Sequence, residues 1–396
     1  MGFYDSLTGE YNLPINSQVF SSTTCSASLN NETKLSPILE PSKPLLLVLN
    51  HIRSGSIPSY SLYLSKVAKN ISQVINCFPS PAHGRRSDDS TEYGRFPILP
   101  LNYLYPRKAF PLTYEFAKGV AEGDGMIHYS DQSFRPMFVN ERTTVTFHDN
   151  PFVNFLTGLY SGDGMMSVIG RSIYRDTLKK YQDMPVALSN SKYVKNKMHE
   201  WGFEGKIVPI YLPFHPELYP MKDKSLARKQ LGITTDKKLV LNVSTNDQRK
   251  NIATLLKVME SLGDDYVLVR VGPKLINSLN FDEVSYRQLN LIYNACDVLI
   301  LPSLEEGFGR PMVEGFATGI PVVASKIPAF EELAEGSAEL IEPLDYLGFA
   351  KKIREIVGNP GEQIAKSMAR SVYFTTDRFN HEMRSYYRNY FRLRGV

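Results

Sequence analysis

The chain has 396 residues, 42% of them hydrophobic, a length and composition that predict two ordinary globular domains rather than one core. Its 45 basic and 41 acidic residues leave a net charge of only +4, too small to argue for nucleic acid binding. No apolar run approaches the roughly 18 to 20 residues that span a bilayer, and three widely spaced cysteines predict neither a disulfide nor a metal site, so we expect a cytoplasmic protein.

The N-terminal part of the chain begins without a clear pattern. Residues 1–43 are rich in Ser, Thr and Asn, so we interpret them as an irregular extension. A strand is predicted at PLLLVLN from Pro44, and helical spacing of apolar residues follows it. Gly55 and Ser56 therefore occupy a strand-to-helix turn, whose amides can cradle a phosphate. Because this turn has only one glycine, an ordinary turn that binds no ligand is the simpler interpretation.

Two more strand ends follow, and one carries a histidine. DGMIHYSDQ from Asp124 and TTVTFHDNP from Thr143 predict strands that alternate with helical segments, as a parallel sheet requires. His148 comes at the end of the second apolar strand. A lone histidine in such a place is usually structural, held by a neighbouring carbonyl or carboxylate.

A basic stripe marks the next helix. SVIGRSIYRDTLKKYQ from Ser167 places Arg171, Arg175 and Lys179 four residues apart. Two interpretations stay open: a solvated face, or a surface for peripheral contact with anionic lipid. Farther along, the segment from Pro213 to Pro220 is the natural linker between domains.

Two cations follow the first strand of the second domain. The strand from Lys238 leads through a polar turn to a helix, and Arg249 and Lys250 stand near the start of that helix. Cations are unfavourable at a helix N-terminus unless an anion is present. A bound diphosphate would supply that anion, whereas exposed charges beside Asp247 are the alternative. The next buried strand ends in a turn at Gly272.

The stretch PSLEEGFGRPMVEGFATGIPVVAS from Pro302 holds two glutamates, Glu306 and Glu314, around a glycine-rich turn. Its pattern predicts strand, glycine loop, short helix and strand, one crossover unit of a doubly wound sheet. Ligands bind such sheets beyond the carboxyl ends of the strands, where a helix N-terminus attracts anions. Because the glutamates repel a purely negative ligand, the ligand should carry phosphate and hydroxyls, which indicates a nucleotide sugar. Two solvated acids beside a tight turn are the alternative.

The final segment, from Asp377, interleaves arginines with aromatic residues at helical spacing. Stacking on nucleic acid is one interpretation of that pattern. Packing of the apolar stripe against the rest of the protein is the simpler one, and no nucleic acid partner is expected.

The Glu306–Glu314 stretch resembles the signature of retaining GT-B glycosyltransferases of family four, the group 1 glycosyl transferases. The resemblance covers the chain from Pro44 onward, is strong after residue 238, and departs from the family pattern at Arg310. It implies an α/β fold of two Rossmann-like, doubly wound parallel-sheet domains that face a central cleft. The acceptor domain would be 44–215, the donor domain 216–376, and 377–396 a helix that crosses back to the first domain.

The resemblance also implies roles for single residues. Glu306 would contact hydroxyls of the donor sugar, Glu314 the ribose, and His148 the sugar near the reacting carbon. Lys250 and, less strongly, Arg249 would hold the phosphates. The remaining implied donor contacts are the backbone of Gly307, Phe308 and Gly309, the turn at Gly272 near the base, and the turn at Gly55 and Ser56. Where many relatives have Gly-Arg, this chain has Ser244 and Thr245, so a second phosphate-binding arginine is missing or replaced.

The function that the resemblance implies is retaining transfer of a hexose-type sugar from a nucleotide-diphosphate sugar to a glycan or lipid acceptor. His148, Glu306 and Lys250 would be the catalytic residues. No cofactor and no metal are expected, because an Asp-x-Asp metal motif is absent. Two alternatives are a GT-B relative such as a nucleotide-sugar epimerase or phosphorylase, and a non-catalytic protein that binds sugar nucleotides or nucleic acid.

Overall fold

The computed structural model describes residues 126–130, 139–149, 179–182 and 184–393, and the short segments 3–4, 11–12, 44–48, 63–64, 73–78 and 99–100. The chain divides into two compact units, Met1–Ile38 and Leu39–Val396. In the first unit, strand β1 (Phe3–Tyr4) pairs antiparallel with β2 (Tyr11–Asn12). All other elements belong to the second unit.

A parallel seven-stranded sheet forms the N-terminal half of the second unit, with the order β5-β4-β3-β6-β7-β8-β9. Its strands are β3 (Pro44–Val48), β4 (Gln73–Phe78), β5 (Leu99–Pro100), β6 (Met126–Tyr129), β7 (Thr143–Phe147), β8 (Val186–Ser189) and β9 (Lys206–Pro209). Helix α1 (Lys192–Glu200) connects β8 to β9, and the side chain of Ser191 caps its N-terminus. The strands predicted after Pro44, Asp124 and Thr143 are confirmed.

A parallel six-stranded sheet follows, with the order β12-β11-β10-β13-β14-β15. Its strands are β10 (Lys238–Val243), β11 (Tyr266–Val271), β12 (Ser278–Phe281), β13 (Val298–Leu301), β14 (Val322–Ser325) and β15 (Glu339–Ile341). The helices of this half are α2 (Lys224–Gln230), α3 (Ile252–Leu262), α4 (Tyr286–Ala295), α5 (Arg310–Thr318), α6 (Pro328–Ala334), α7 (Tyr346–Gly358), α8 (Gly361–Ser371) and α9 (Thr376–Leu393). The crossover unit predicted from Pro302 is confirmed, and Gly319 ends α5 with φ +75°.

Both faces of the second sheet are buried. Leu239 and Leu241 of β10 belong to one core cluster, whereas Val240 between them belongs to another on the opposite face. Such continuous burial is why parallel strands read as unbroken apolar runs. Cys296, at the end of α4, is a buried free thiol.

Three tyrosines attach the last helix, α9, to strands β6 and β7 of the first sheet. Tyr387 is hydrogen-bonded to His128 at 2.7 Å, and Tyr386 to Thr144 at 2.6 Å. The Tyr390 hydroxyl donates to the carbonyl oxygens of Glu141 and Thr143. The apolar and aromatic residues of this segment therefore pack against the protein. The domain bounds given above stay predictions.

Each sheet reverses its strand order once, between β3 and β6 in the first and between β10 and β13 in the second. In doubly wound sheets, the loops that leave the carboxyl ends of two such strands diverge and open a crevice for a ligand. The loops after β10 and β13 carry Lys250 and Glu306. The topology therefore brings together residues that lie 56 positions apart in sequence.

Candidate functional site

The site is built where the loops after β10 and β13 meet. The first loop ends in a short 3₁₀ turn, Gln248–Lys250. The backbone N–H of Leu304, in the second loop, donates to the carbonyl of Arg249 at 2.7 Å. This bond fixes the two loops to each other, so the side chains that they carry converge.

The carboxylate of Glu306 is the centre of that convergence. Lys250 Nζ donates to both of its oxygens at 2.7 and 2.8 Å, and Arg249 Nη1 donates to Oε2 at 3.1 Å. The hydroxyl of Ser303 donates to Oε1 at 2.8 Å. The Lys250 and Glu306 side chains are 13% and 10% exposed, so water screens their attraction only weakly.

This environment keeps Glu306 ionised. Burial alone would raise its pKa, but the charges of Lys250 and Arg249 and the hydrogen bonds from Lys250 and Ser303 outweigh burial, and the pKa is lowered. Asp149, 3.8 Å from Arg249, behaves differently. Burial raises the pKa of Asp149, and the negative charge of Glu306 raises it further, although Arg249 and Lys250 act in the opposite direction. Glu306 is thus a permanent hydrogen-bond acceptor at neutral pH.

His148 and Asp149, from the end of β7, face the Glu306 loop. The ring of His148 is buried and donates from Nε2 to the carbonyl of Ser130 at 2.8 Å, while Asn190 donates to the His148 carbonyl at 2.7 Å. Gly307 lies so close that a Cβ there would stand 2.2 Å from the His148 carbonyl oxygen. The first sheet thus supplies one wall of the site and the second sheet the other.

Gly307 is tied to the first sheet by a hydrogen bond as well. The Ser191 hydroxyl donates to the carbonyl of Gly307 at 2.6 Å. A trans peptide directs its C=O and N–H in opposite directions, so this bond turns the N–H of Phe308 away from Ser191. The N–H groups of Gly307, Phe308 and Gly309 donate to no acceptor in the part of the chain that the structure describes.

Phe308 and Gly309 determine the shape of this loop. The ring of Phe308 is buried in the core, with its centroid 6.1 Å from that of Tyr211. Gly309 has φ +105°, and a Cβ there would stand 2.4 Å from the ring of Phe330. A side chain at position 309 would therefore be strained in conformation and blocked by its neighbour. The loop keeps its shape because a glycine stands there.

Glu314 lies on α5, one turn after the loop, and its carboxylate contacts two other side chains of the protein. Arg310 approaches its Oε1 at 3.2 Å, and the hydroxyl of Tyr293 donates to its Oε2 at 2.9 Å. Burial raises the pKa of Glu314, against the effects of Arg310 and Tyr293. Arg310 also donates to the hydroxyl of Tyr286 at 3.0 Å. The residue that departs from the family pattern thus binds the carboxylate expected at the ribose, and contact of Glu314 with ribose stays a prediction.

The structure brings together most of the predicted site residues. Three of them contact one another directly around the Glu306 loop: Arg249, Lys250 and Glu306. Asp149, which is not among the predicted site residues, joins them at 3.8 Å from Arg249. Gly272 lies at the end of β11, with its backbone against the carbonyl of Ser244. Gly55, Ser56 and most of the basic stripe lie outside the described residues.

Sequence reasoning missed several contributors. Ser191 and Asn190 hold the loops around Gly307 and His148, and nothing in the pattern of β8 identifies them. The sequence pattern identifies Arg310 as a departure from the family but not as a partner of Glu314. Arg270 is different, because a charged residue inside the apolar strand YVLVRV is a visible signal.

Metal-binding clusters and membrane-spanning helices are both absent from the described residues. No cluster of three or more His, Cys, Asp or Glu side chains among them is arranged to hold a metal ion. None of the helices described combines the length and apolar character needed to cross a bilayer.

Comparison with protein families gives a match over the second half of the chain. Residues 223–372, which include β10 to β15 and the Lys250–Glu306 contact, match the family model described as glycosyl transferases group 1. This region is a group 1 glycosyl transferase domain. The group 1 assignment expected from the Glu306–Glu314 signature is thereby confirmed for this region, whereas retention of the anomeric configuration stays a prediction.

Proteins similar to this chain include an O-antigen chain mannosyltransferase, RfbU, of Salmonella typhimurium. It is 27% identical over 146 residues, which cover 33% of this chain and 40% of RfbU. The chain thus spans less than half the length of that relative.

Solved structures extend the likeness to most of the chain. The sucrose-phosphate synthase of Thermosynechococcus elongatus superposes with a TM-score of 0.70 at 20% identity, over 89% of this chain and 100% of the other. HepE of Anabaena, in complex with UDP-glucose, superposes with a TM-score of 0.67 at 16% identity, over 86% of this chain and 97% of the other. At such identities the likeness concerns the fold alone. The chain has the GT-B fold, as expected.

Proposed function

We propose that the protein is a retaining glycosyltransferase that moves a hexose-type sugar from a nucleotide-diphosphate sugar to a glycan or lipid acceptor. The observation that carries this proposal is the Glu306 carboxylate, held by Lys250 and Arg249 at the carboxyl ends of β10 and β13 and faced by His148 and Asp149. The names of two similar proteins support it. One is a mannosyltransferase of the O-antigen chain, and the other was solved with UDP-glucose.

The cations of the cluster suit the leaving group. Breaking the bond between C1 of the sugar and the β-phosphate oxygen leaves negative charge on a nucleoside diphosphate. Lys250 and Arg249 are donors that stabilise such charge in a largely buried site, together with the N–H groups of Gly307, Phe308 and Gly309, which donate to no acceptor among the described residues. Both cations contact Glu306, so a bound phosphate would share these cations with the carboxylate.

The carboxylate of the cluster suits the sugar. Because the pKa of Glu306 is lowered, its oxygens accept hydrogen bonds and do not donate them. Hydroxyls of a hexose are the matching donors. Glu306 would therefore orient the sugar while its partner Lys250 contacts the adjacent phosphate, and His148 would lie near the reacting carbon. No carboxylate is required as a nucleophile.

In the transfer step, the bond from C1 to the β-phosphate oxygen breaks and a bond from C1 to an acceptor hydroxyl oxygen forms. The hydroxyl proton passes to the departing phosphate oxygen, which lies on the same face of the sugar. Attack from that face retains the anomeric configuration. We also propose that transfer needs no metal ion, because two cationic side chains, Lys250 and Arg249, supply the countercharge.

An assay of nucleoside diphosphate release tests the proposal. Purified protein is incubated with UDP-, GDP- or ADP-hexoses, with and without simple glycosides or lipid-linked sugars as acceptors. We expect release only when an acceptor is present, and the proton NMR coupling at C1 of the product should match that of the donor. Release without acceptor, interconversion of the donor sugar, or an inverted product contradicts the proposal.

A further inference from the structure

A fully buried arginine lies beneath the loop that follows β10. Arg270, on β11, has no exposed surface. Among the described residues, its guanidinium donates to neutral acceptors alone: the side-chain oxygen of Asn242, Ser244 Oγ at 2.6 Å, the Thr245 carbonyl at 3.1 Å, Asn246 Oδ1 at 3.0 Å and the Pro273 carbonyl at 3.4 Å. Three of these acceptors belong to the loop from Ser244 to Asn246.

No Asp or Glu of the described chain lies within ion-pair distance of Arg270. Burial lowers the pKa of its guanidinium to about 10, so the group remains charged at neutral pH. A buried charge is unfavourable unless it is paired, and the dipoles of neutral oxygens offset only part of that cost. A positive potential therefore remains around this loop and favours an anion beside it.

The same loop leads directly to the two cations that contact Glu306. After Asn246 the chain enters the turn that carries Arg249 and Lys250. The loop is also packed tightly against the end of β11, because a Cβ at Gly272 would stand 2.2 Å from the Ser244 carbonyl oxygen. Arg270 thus holds the Ser244–Asn246 loop in place. The turn that follows this loop carries the two cations that bind Glu306.

We propose that Arg270 is a positioning residue for the diphosphate of the nucleotide: it fixes the Ser244–Asn246 loop beside the phosphates and adds positive potential behind that loop. The proposal rests on the proposed function, since it assumes a nucleoside diphosphate at this site. Thr245 stands where the family resemblance implies an arginine. Arg270 supplies a cation to the same loop from the neighbouring strand instead.

Binding measurements with nucleotides test this role. UDP, GDP and ADP are titrated into the wild-type protein, and the diphosphate that binds is compared with its nucleoside. We expect Arg270→Met to raise the Kd of the diphosphate on the order of tenfold, which corresponds to about 1.4 kcal/mol. The Kd of the nucleoside should stay within about twofold, because a charge effect acts on the phosphates and not on the base.

The outcomes separate the two proposals. A wild-type protein that binds none of the three diphosphates contradicts the proposed function. If the wild type binds one of them and Arg270→Met binds it equally well, the role of Arg270 is overturned and the proposed function stands. An equal rise in the Kd of the nucleoside also overturns that role, since it indicates general loosening of the site.

Two loop variants decide the matter even if Arg270→Met does not fold. Ser244→Ala and Asn246→Ala each remove one acceptor of the guanidinium and leave its charge in place. Each should raise the Kd of the diphosphate about threefold without changing that of the nucleoside. Unchanged Kd values for the diphosphate in both variants would refute the positioning role.

Discussion

The Lys250–Glu306 contact allows a quantitative prediction. At 2.7 Å and an effective dielectric constant of about 20, the attraction between the two charges is about 6 kcal/mol before the cost of burying them is subtracted. Removing one member of a buried pair typically costs about 3–5 kcal/mol, because the other charge stays buried. We expect about 3 kcal/mol for Glu306→Gln, which leaves Lys250 and Arg249 facing each other. For Lys250→Met we expect about 2 kcal/mol, because Arg249 still compensates the carboxylate.

Thermal unfolding of the single and double variants measures this coupling. For a domain of this size, about 1 kcal/mol lowers Tm by roughly 2–4 °C, so Glu306→Gln should lower it by about 6–12 °C. The double variant should lose about 1–2 kcal/mol less than the sum of the single losses. An exposed pair, Lys326 and Glu342 at 3.8 Å, provides the control, and Glu342→Gln should change stability by less than about 0.5 kcal/mol.

Function is measured on the same variants. Because Glu306 is proposed to accept hydroxyls of the sugar, Glu306→Gln should lower transfer on the order of 100-fold at temperatures where the variant is folded. Additive losses of stability in the double variant would refute the account of the buried pair. Full transfer activity in Glu306→Gln would refute the role of the carboxylate.

Three further predictions concern the surroundings of the site. Gly307→Ala should cost about 1–3 kcal/mol and at least about tenfold in activity, because its Cβ meets the carbonyl of His148, whereas Gly358→Ala, which has open space, should do neither. Burial lowers the pKa of His128 to about 3, below its unfolded value of about 6.5, so folding favours the neutral ring; its stabilisation is complete above pH 6.5 and falls by about 1.4 kcal/mol per unit as the pH drops toward 3. Between pH 6.5 and 5, Tm should therefore fall less in His128→Gln than in the wild type. The variant His381→Gln, at an exposed position, should behave like the wild type. An equal fall of Tm in His128→Gln and the wild type would contradict this role of His128. Glu332 accepts the first N–H groups of α1 at 2.7 and 2.8 Å, so Glu332→Ala should lower Tm by about 2–6 °C and Glu332→Gln by less, while an unchanged Tm in Glu332→Ala would count against the cap.

Much of the fold was predictable because local patterns determine it. The apolar runs of β10, β11 and β13, and the glycine that ends α5, define crossover units without any knowledge of tertiary contacts. Parallel sheets bury both faces, so their strands appear as continuous apolar segments. The convergence of Lys250 and Glu306 was expected only through the family resemblance, since their approach depends on the strand order β10-β13.

The contacts that shape the site were less predictable. The hydrogen bond from Ser191 to Gly307 joins residues 116 positions apart, and no periodicity records it. Likewise, the pairing of Arg310 with Glu314 follows from helical spacing, but the hydroxyl of Tyr293 that completes it comes from another helix. Polar contacts of this kind depend on how loops and helices meet after packing, which composition and period do not encode.

The proposed function requires that Lys250 and Glu306 bind a nucleotide sugar. Thermal unfolding of the wild type and of Lys250→Met, with and without UDP-glucose, GDP-mannose or ADP-glucose, tests it most directly. A donor at about 100 times its Kd stabilises the folded state by about 2.7 kcal/mol, so one of these compounds should raise the wild-type Tm by about 5–11 °C and raise that of Lys250→Met much less. No shift with any nucleotide sugar, or an equal shift in the variant, would contradict the claim.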